Sequence, residues 1–205
     1  MKLILVRHGE TQWNRSNRFQ GQNDIPLNRR GLVQAGQTAR ALARIPCRAV
    51  YSSPLIRTMQ VAEVISQAVD RPVSKVDGLK ELDLGDLEGV SGDEMRDGWR
   101  QVYDAWRENP ADVSMPNGES LAQLQERAWQ AFLNVEASHQ DEDTLILVSH
   151  NFAIRTIVCK LLGVPLENFH KMTLGLSSIC AIDSGQWGRR LVTYNSTGHL
   201  SARYK

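Results

Sequence analysis

Cysteine is scarce in this 205-residue sequence: Cys47, Cys159 and Cys180 lie far apart and form no CxxC pair. That excludes zinc-ribbon and dithiol redox readings, and an odd, sparse set suits free thiols in a reducing compartment. Long apolar runs are also missing. None approaches the roughly 20 residues that span a bilayer. The apolar opening Leu3-Ile4-Leu5-Val6 stops at Arg7, short of a secretory core. Charge of one sign is not in excess: Lys+Arg 24 against Asp+Glu 23 leaves +1. The basic surplus usual in chains that grip nucleic acid is therefore absent. Repeats, low-complexity tracts and Pro/Ser-rich linkers are lacking too. With 41% hydrophobic residues and so small a net charge, the chain is not of a disordered type. These absences predict a soluble, cytoplasmic protein with no nucleic-acid or membrane partner, folded as one domain over 1–205.

Strand and helix signals alternate along the chain. Lys2 to Val6, Ala49-Val50-Tyr51, Val73 to Val76 and Thr144 to Val148 read as short strands. Asn28 to Arg44 carries Leu32, Ala35, Ala39 and Leu42 at helical spacing. Ser53 as N-cap with Pro54 at N1 predicts a helix running to Val69. Glu94 to Arg107 reads as one helix, with Met95, Trp99, Val102 and Trp106 on one side. Ser120 and Gln123 fit a capping box that opens a helix to about Ser138. Phe152 to Leu162 is a helix that Gly163 ends. Ser178 to Asp183 and Arg189 to Tyr194 fit a hairpin turning at Ser184-Gly185. Alternation of this kind predicts an α/β fold: a three-layer α/β/α sandwich with a mostly parallel central sheet.

Ligands of such sheets bind outside the carboxyl ends of the strands. Three strand ends are unusual here: Arg7-His8-Gly9-Glu10, then Ser52-Ser53-Pro54 with Arg57, then Ser149-His150-Asn151. Two histidines and two arginines would meet on one rim. Without a nearby cysteine, or HxH or HExxH spacing, the set is a poor metal site, and no metal or cofactor is expected. Guanidinium forks match phosphate oxygens, and helix N-termini add N–H donors, so the set suits a phosphate pocket. An arginine in a first helical turn opposes the helix dipole, which also argues for an anion near Arg57.

A neutral imidazole in such a pocket can attack phosphorus in line, giving a phosphohistidine that water hydrolyses. The arginines, and a protonated second histidine, would stabilise the transferring phosphoryl oxygens. The leaving alkoxide needs a proton, and a carboxylic acid beside a phosphate dianion holds one near neutrality. Lys80-Glu81-Leu82-Asp83-Leu84-Gly85-Asp86-Leu87-Glu88-Gly89 supplies four candidates, among which the residues alone do not choose.

Leu5-Val6-Arg7-His8-Gly9-Glu10-Thr11 resembles the signature of the histidine phosphatase superfamily, in its phosphoglycerate-mutase-like branch. The resemblance covers nearly the whole chain. It extends through Trp13-Asn14, Arg18-Phe19-Gln20-Gly21, Asp24-Ile25-Pro26-Leu27, Arg30-Gly31, Tyr51-Ser52-Ser53-Pro54-Leu55, Arg57-Thr58, Gly118-Glu119-Ser120 and Val148-Ser149-His150. It implies that His8 is the nucleophile and that Arg7, Arg57 and His150 hold the phosphoryl group. It also selects Glu81 as proton donor. Asn14 and Gln20, with Gly21 and Asn151 beside site residues, become candidates for binding phosphate or substrate.

Mutases of the same branch are usually longer. Only 68 residues lie between Glu81 and His150 here, and the Asn-Glu-Arg-His-Tyr-Gly run of the mutases is missing. The resemblance therefore implies a metal-independent phosphatase of a small-molecule phosphomonoester. Phosphoserine and α-ribazole 5'-phosphate are leading substrates, and a cofactor-dependent phosphoglycerate mutase is the alternative. A non-catalytic phosphate-ester binding protein is an alternative of another class. Asn195-Ser196-Thr197-Gly198-His199-Leu200 is similar to the ending of the phosphoserine group, yet that group tends to carry histidine where Leu84 stands. The segment from about 85 to 119 is expected to cover the pocket and set specificity. His139 is expected in solvent, His170 as a surface or packing residue, and His199 as a tail contact. A homodimer through the C-terminal hairpin is compatible with the sequence, which does not decide it.

Overall fold

Strands buried on both faces are short and apolar, and their side chains alternate between two cores. The computed structural model, which describes residues 1–204, has six strands: β1 (Lys2–Arg7), β2 (Ala49–Ser52), β3 (Val73–Lys75), β4 (Thr144–Ser149), β5 (Ile179–Gly185) and β6 (Gly188–Ser196). Lys205, where the expected domain ends, lies outside the described residues. The strands form one sheet in the order β3-β2-β4-β1-β5-β6. β1 to β4 are parallel, and β5 runs antiparallel to both β1 and β6. The sheet is mostly parallel, as expected.

Seven α-helices surround it: α1 (Gln12–Arg15), α2 (Arg29–Leu42), α3 (Ile56–Val69), α4 (Gly92–Gly98), α5 (Arg100–Glu108), α6 (Leu121–Ala137) and α7 (Asn151–Leu162). Leu3, Leu5, Leu145 and Leu147 share one core with Leu124, Phe132, Ile154 and Ile157 of α6 and α7. Ile4, Val6, Ile146 and Val148 point the other way, onto Ala35, Ala39, Val61 and Ile65 of α2 and α3. This period-two split makes the three layers. No helix among the described residues is long and apolar enough to cross a membrane.

Several local expectations hold. The helical stretch expected over Asn28–Arg44 is α2, Arg29–Leu42, with Asn28 as its N-cap through Gly31 N at 2.9 Å. Ser120 and Gln123 close their capping box on α6, and Gly163 ends α7 at φ 65°. Others do not. The helix expected over Glu94–Arg107 is two helices, α4 and α5, broken at Trp99 (φ −125°, ψ 40°) just after Gly98. α3 starts at Ile56 rather than after Ser53, and its N-cap, Leu55, makes no side-chain cap bond. The hairpin turns at Gln186-Trp187, two residues later than expected, and a register shift interrupts β5 against β6.

Candidate active site

The carboxyl ends of β1, β2 and β4 lie side by side, and backbone bonds tie the rim together. His8 N donates to Ser149 O (3.1 Å), Ser53 N to Val148 O (3.0 Å) and Arg7 N to Ser178 O (3.0 Å). A cavity of about 170 Å³ opens over this rim. Arg7, His8, Asn14, Gln20, Gly21, Arg57, Glu81 and Asn151 all line it. His150 is buried next to it, its ring centroid 5.2 Å from that of His8 at 61°. The nine residues to which the resemblance gave catalytic or binding roles are thus brought to one place.

The turn after β1 depends on glycine. A Cβ on Gly31, in the first turn of α2, would lie 2.1 Å from Glu10 O, and one on Gly9 would lie 2.8 Å from Gly31 O. Two glycines let the loop that follows His8 lie directly on α2. Glu10 does not pair with Arg7. Its carboxylate accepts from Asn28 Nδ2 at 2.7 Å and faces Arg30 at 3.6 Å.

His8 Nδ1 lies 2.8 Å from Gly9 O. A carbonyl only accepts, so Nδ1 carries the proton and Nε2 of the neutral ring keeps its lone pair. Burial above all, then the Arg57 and Arg7 guanidiniums, hold the His8 pKa well below the usual histidine value. His150 is lowered in the same way, first by burial, then by Arg57, His8 and Arg7. Its Nε2 lies 2.8 Å from Ser53 Oγ. Both shifts favour the neutral imidazole over the charged one in the free protein. The protonated second histidine invoked from the sequence therefore requires an anion in the pocket.

The arginines are anchored without a carboxylate partner. Arg57 is fully buried and donates to Gly21 O and Asn23 O, both at 2.7 Å. Arg7 donates to Leu174 O. Burial draws both pKa values down to about 10, against the opposing pull of Glu81, so both stay charged at neutral pH. Arg7 Nε, Arg57 Nε, His150 Nδ1 and Asn151 Oδ1 are buried with no partner. Unsatisfied buried polar atoms are rare in folded proteins, and the three nitrogens among these, two of them guanidinium donors, suit a bound oxyanion; the Asn151 oxygen only accepts and does not. Asn14 Oδ1 accepts from Thr11 N and Oγ1 (both 3.1 Å), and Gln20 Oε1 lies 2.8 Å from Thr11 Oγ1. With both amide oxygens turned to Thr11, their NH₂ groups are what remain for a ligand.

Among the four candidate carboxylates the structure separates one. Glu81 lines the cavity; Asp83, Asp86 and Glu88 do not. Glu81 Oε1 accepts from Leu82 N (3.0 Å), Phe152 N (3.0 Å) and Ala153 N (3.2 Å), which places it on the N-terminus of α7. Glu88 is spent elsewhere, accepting from Gln22 N at 2.6 Å.

Other residues hold this arrangement and were not read from the sequence. Arg127 of α6 grips Glu119 through two bonds of 2.6 and 2.8 Å, and donates to the carbonyls of Gly78, Lys80 and Glu81. It fixes the backbone that carries Glu81. The Gly118-Glu119-Ser120 motif was visible, but its partner Arg127 lies two helical turns further on. Ser53, expected as a helix cap, instead holds His150. His139 is not in solvent: it contacts Tyr51 OH at 2.8 Å and faces Asp143 at 3.4 Å. His170 bonds to Trp106 O, and His199 is a tail contact on Thr38, at 3.0 Å. No group of three or more His, Cys, Asp or Glu among the described residues is arranged to hold a metal ion.

The sequence model of the histidine phosphatase superfamily (branch 1) matches residues 3–197. Phosphoserine phosphatase 1 of Hydrogenobacter thermophilus is 35% identical over all of this chain and 96% of its own. The probable phosphoglycerate mutase GpmB of Salmonella arizonae is also 35% identical, over 98% and 96%. The solved structure of Bacillus stearothermophilus YhfR superimposes with a TM-score of 0.92 at 26% identity, covering 98% of this chain and 99% of that one. A putative α-ribazole-5'-P phosphatase of Escherichia coli gives 0.86 at 27% identity, with 96% of each chain covered. With the family's pattern running from β1 to the end of β6, this chain belongs to the histidine phosphatase superfamily, branch 1.

Proposed function

We propose that this phosphatase hydrolyses a small-molecule phosphomonoester, without a metal, through a phosphohistidine on His8. One observation carries the proposal. The His8 Nδ1–H is held by Gly9 O, which leaves the Nε2 lone pair free beside a cavity lined by the guanidiniums of the buried Arg57 and the half-buried Arg7. In the first step Nε2 attacks phosphorus, the bond to the ester oxygen breaks, and Glu81 gives its proton to the departing alkoxide. Arg7 and Arg57 neutralise the phosphoryl oxygens, and the incoming negative charge lets His150 take up a proton and donate. In the second step the Glu81 carboxylate takes a proton from water, which attacks phosphorus. The P–N bond breaks, and phosphate leaves.

Phosphoserine and α-ribazole 5'-phosphate, the esters suggested by the sequence, are both primary phosphomonoesters of suitable type, and relatives of both names match this chain. The test is phosphate release from a panel of phosphomonoesters in EDTA, beside a His8→Ala variant. Acid-labile, base-stable label should be trapped on the wild-type protein after a rapid quench. Release that survives in the folded variant would refute the nucleophile. Dependence of release on a divalent metal would refute the metal-free route.

The similarity to the Salmonella protein favours a second reading, a phosphoglycerate mutase. It predicts exchange between 3- and 2-phosphoglycerate that needs a bisphosphate primer. Free phosphate as the sole product excludes it. Tight binding of esters without turnover or exchange would leave the non-catalytic reading.

A further inference from the structure

Besides its polar groups the cavity is lined by three apolar side chains, Phe19, Leu84 and Phe152. These same three side chains also line a second, smaller cavity of about 20 Å³, closed on its far side by Met95, Trp106 and Met115. The three shared residues come from separate segments: the loop after α1, the acid-bearing segment and the first turn of α7. The lid side is supplied by α4, α5 and the strand-like stretch before α6. The space holds about one water, yet it presents hardly any polar surface to one. Met95 and Met115 are unbranched and adapt their shape readily, so the small cavity can widen under an apolar group.

Charge in the cavity is one-sided. The lining cations are Arg7, Arg18 and Arg57, and the single lining carboxyl group is that of Glu81, which already accepts three backbone N–H bonds and, on the reading above, serves the leaving alcohol as acid. An ammonium group on the substrate would find three guanidiniums and no free carboxylate. Arg18 is itself committed, to Gly89 O at 2.6 Å and Glu94 at 3.1 Å.

We propose that Phe19, Leu84 and Phe152 form a specificity subsite for an apolar alcohol, an aromatic or branched aliphatic group a few bonds from the ester oxygen. This rests on the phosphatase reading above. With the phosphoryl group between Arg7, His8 and Arg57, and the proton donor Glu81 bonded to Phe152 N, the alcohol has to leave across these side chains.

Four primary alkyl esters separate the effect from leaving-group reactivity: 2-phenylethyl phosphate, 3-methylbutyl phosphate, glycerol 1-phosphate and phosphoserine. The first two should exceed the last two in kcat/KM by at least about tenfold, the scale on which an apolar pocket discriminates. In Leu84→Gln the ratio of 2-phenylethyl to glycerol phosphate should fall about tenfold. Phe19→Gln, at a half-buried loop position, should lower the same ratio and serves if the buried Leu84 variant does not fold. Equal or higher kcat/KM for phosphoserine or glycerol phosphate would overturn the subsite while leaving the phosphatase reading intact. Absence of release from all four, with release from other esters of the wider panel, would overturn the subsite alone; absence across the whole panel would overturn the phosphatase reading and the subsite with it.

Discussion

Arg127 and Glu119 are joined side-on, Nε to Oε1 at 2.6 Å and Nη2 to Oε2 at 2.8 Å, and the same guanidinium takes three carbonyls from the segment ending at Glu81. A two-bond fork fixes orientation as well as distance. Removing it leaves these carbonyls unpaired, at about 1–3 kcal/mol for those shielded from water. Arg127→Met should therefore lower stability in a denaturant titration and cut kcat by about tenfold or more through misplacement of Glu81. Arg127→Lys, which keeps the charge without the fork, should recover little of the rate. A wild-type kcat in Arg127→Met would separate this pair from the acid.

Both buried histidines titrate below the usual value of 6.5. On the proposed mechanism His8 attacks only when unprotonated, and a lowered pKa extends that form to lower pH. The acid limb of kcat/KM should accordingly fall below pH 6.5. Stability has the same sign. The unfolded chain binds more protons than the fold below about 6.5, so stability declines as pH falls from there towards the folded pKa. The limiting slope is about 1.4 kcal/mol per pH unit for each histidine. His8→Asn should flatten the pH dependence of urea unfolding between pH 6.5 and 5. An unchanged slope would show that His8 is protonated in the fold.

Arg57 is a buried cation with carbonyl partners alone. If, as proposed, its charge holds the phosphoryl group, inorganic phosphate or vanadate should raise the melting temperature of the free protein. Mass action gives about 2.7 kcal/mol at a ligand concentration of 100 Kd. Arg57→Met should lose most of that shift and reduce kcat by about 10³, the lower range for an arginine on a transferring phosphoryl group. A full ligand-induced shift in the variant would place the anion elsewhere.

Gly31→Ala puts a methyl group 2.1 Å from Glu10 O, against backbone that cannot swing aside. Overpacking of this kind costs about 1–3 kcal/mol. Because the displaced loop follows His8 directly, activity should fall with stability. Gly36→Ala in the same helix, whose Cβ meets only Arg40 Nη1 at 3.9 Å, is the control and should be neutral or slightly stabilising.

Where sequence reasoning succeeded, one physical signal was strong and local. The runs Lys2–Val6 and Thr144–Val148 could be nothing but buried strands, and the box at Ser120 and Gln123 marked its helix to the residue. It failed where two demands met at one residue. Ser53 has the chemistry of a cap, but its hydroxyl meets His150, and α3 begins two residues later than expected, without a side-chain cap bond. Met95, Trp99, Val102 and Trp106 keep a helical period across the break at Trp99, so periodicity alone merged α4 with α5; Gly98 was the overlooked sign. Spacing placed His8, Arg57 and His150 on one rim. It carried no information on Arg127, whose role lies in carbonyls that any residue could offer.

The partners of β1 are far away along the chain. Lys2 pairs with Thr144 on one side and Asp183 on the other. During synthesis at about 5–20 residues per second, this apolar strand leaves the ribosome and waits roughly 7–30 seconds for β4 to emerge. Closing so long a loop is slow, and unpaired apolar strands aggregate meanwhile. His8 sits just past the end of that strand. Phosphatase activity therefore appears only when nearly the entire polypeptide has been made and the sheet has closed, which makes turnover itself a reporter of completed folding.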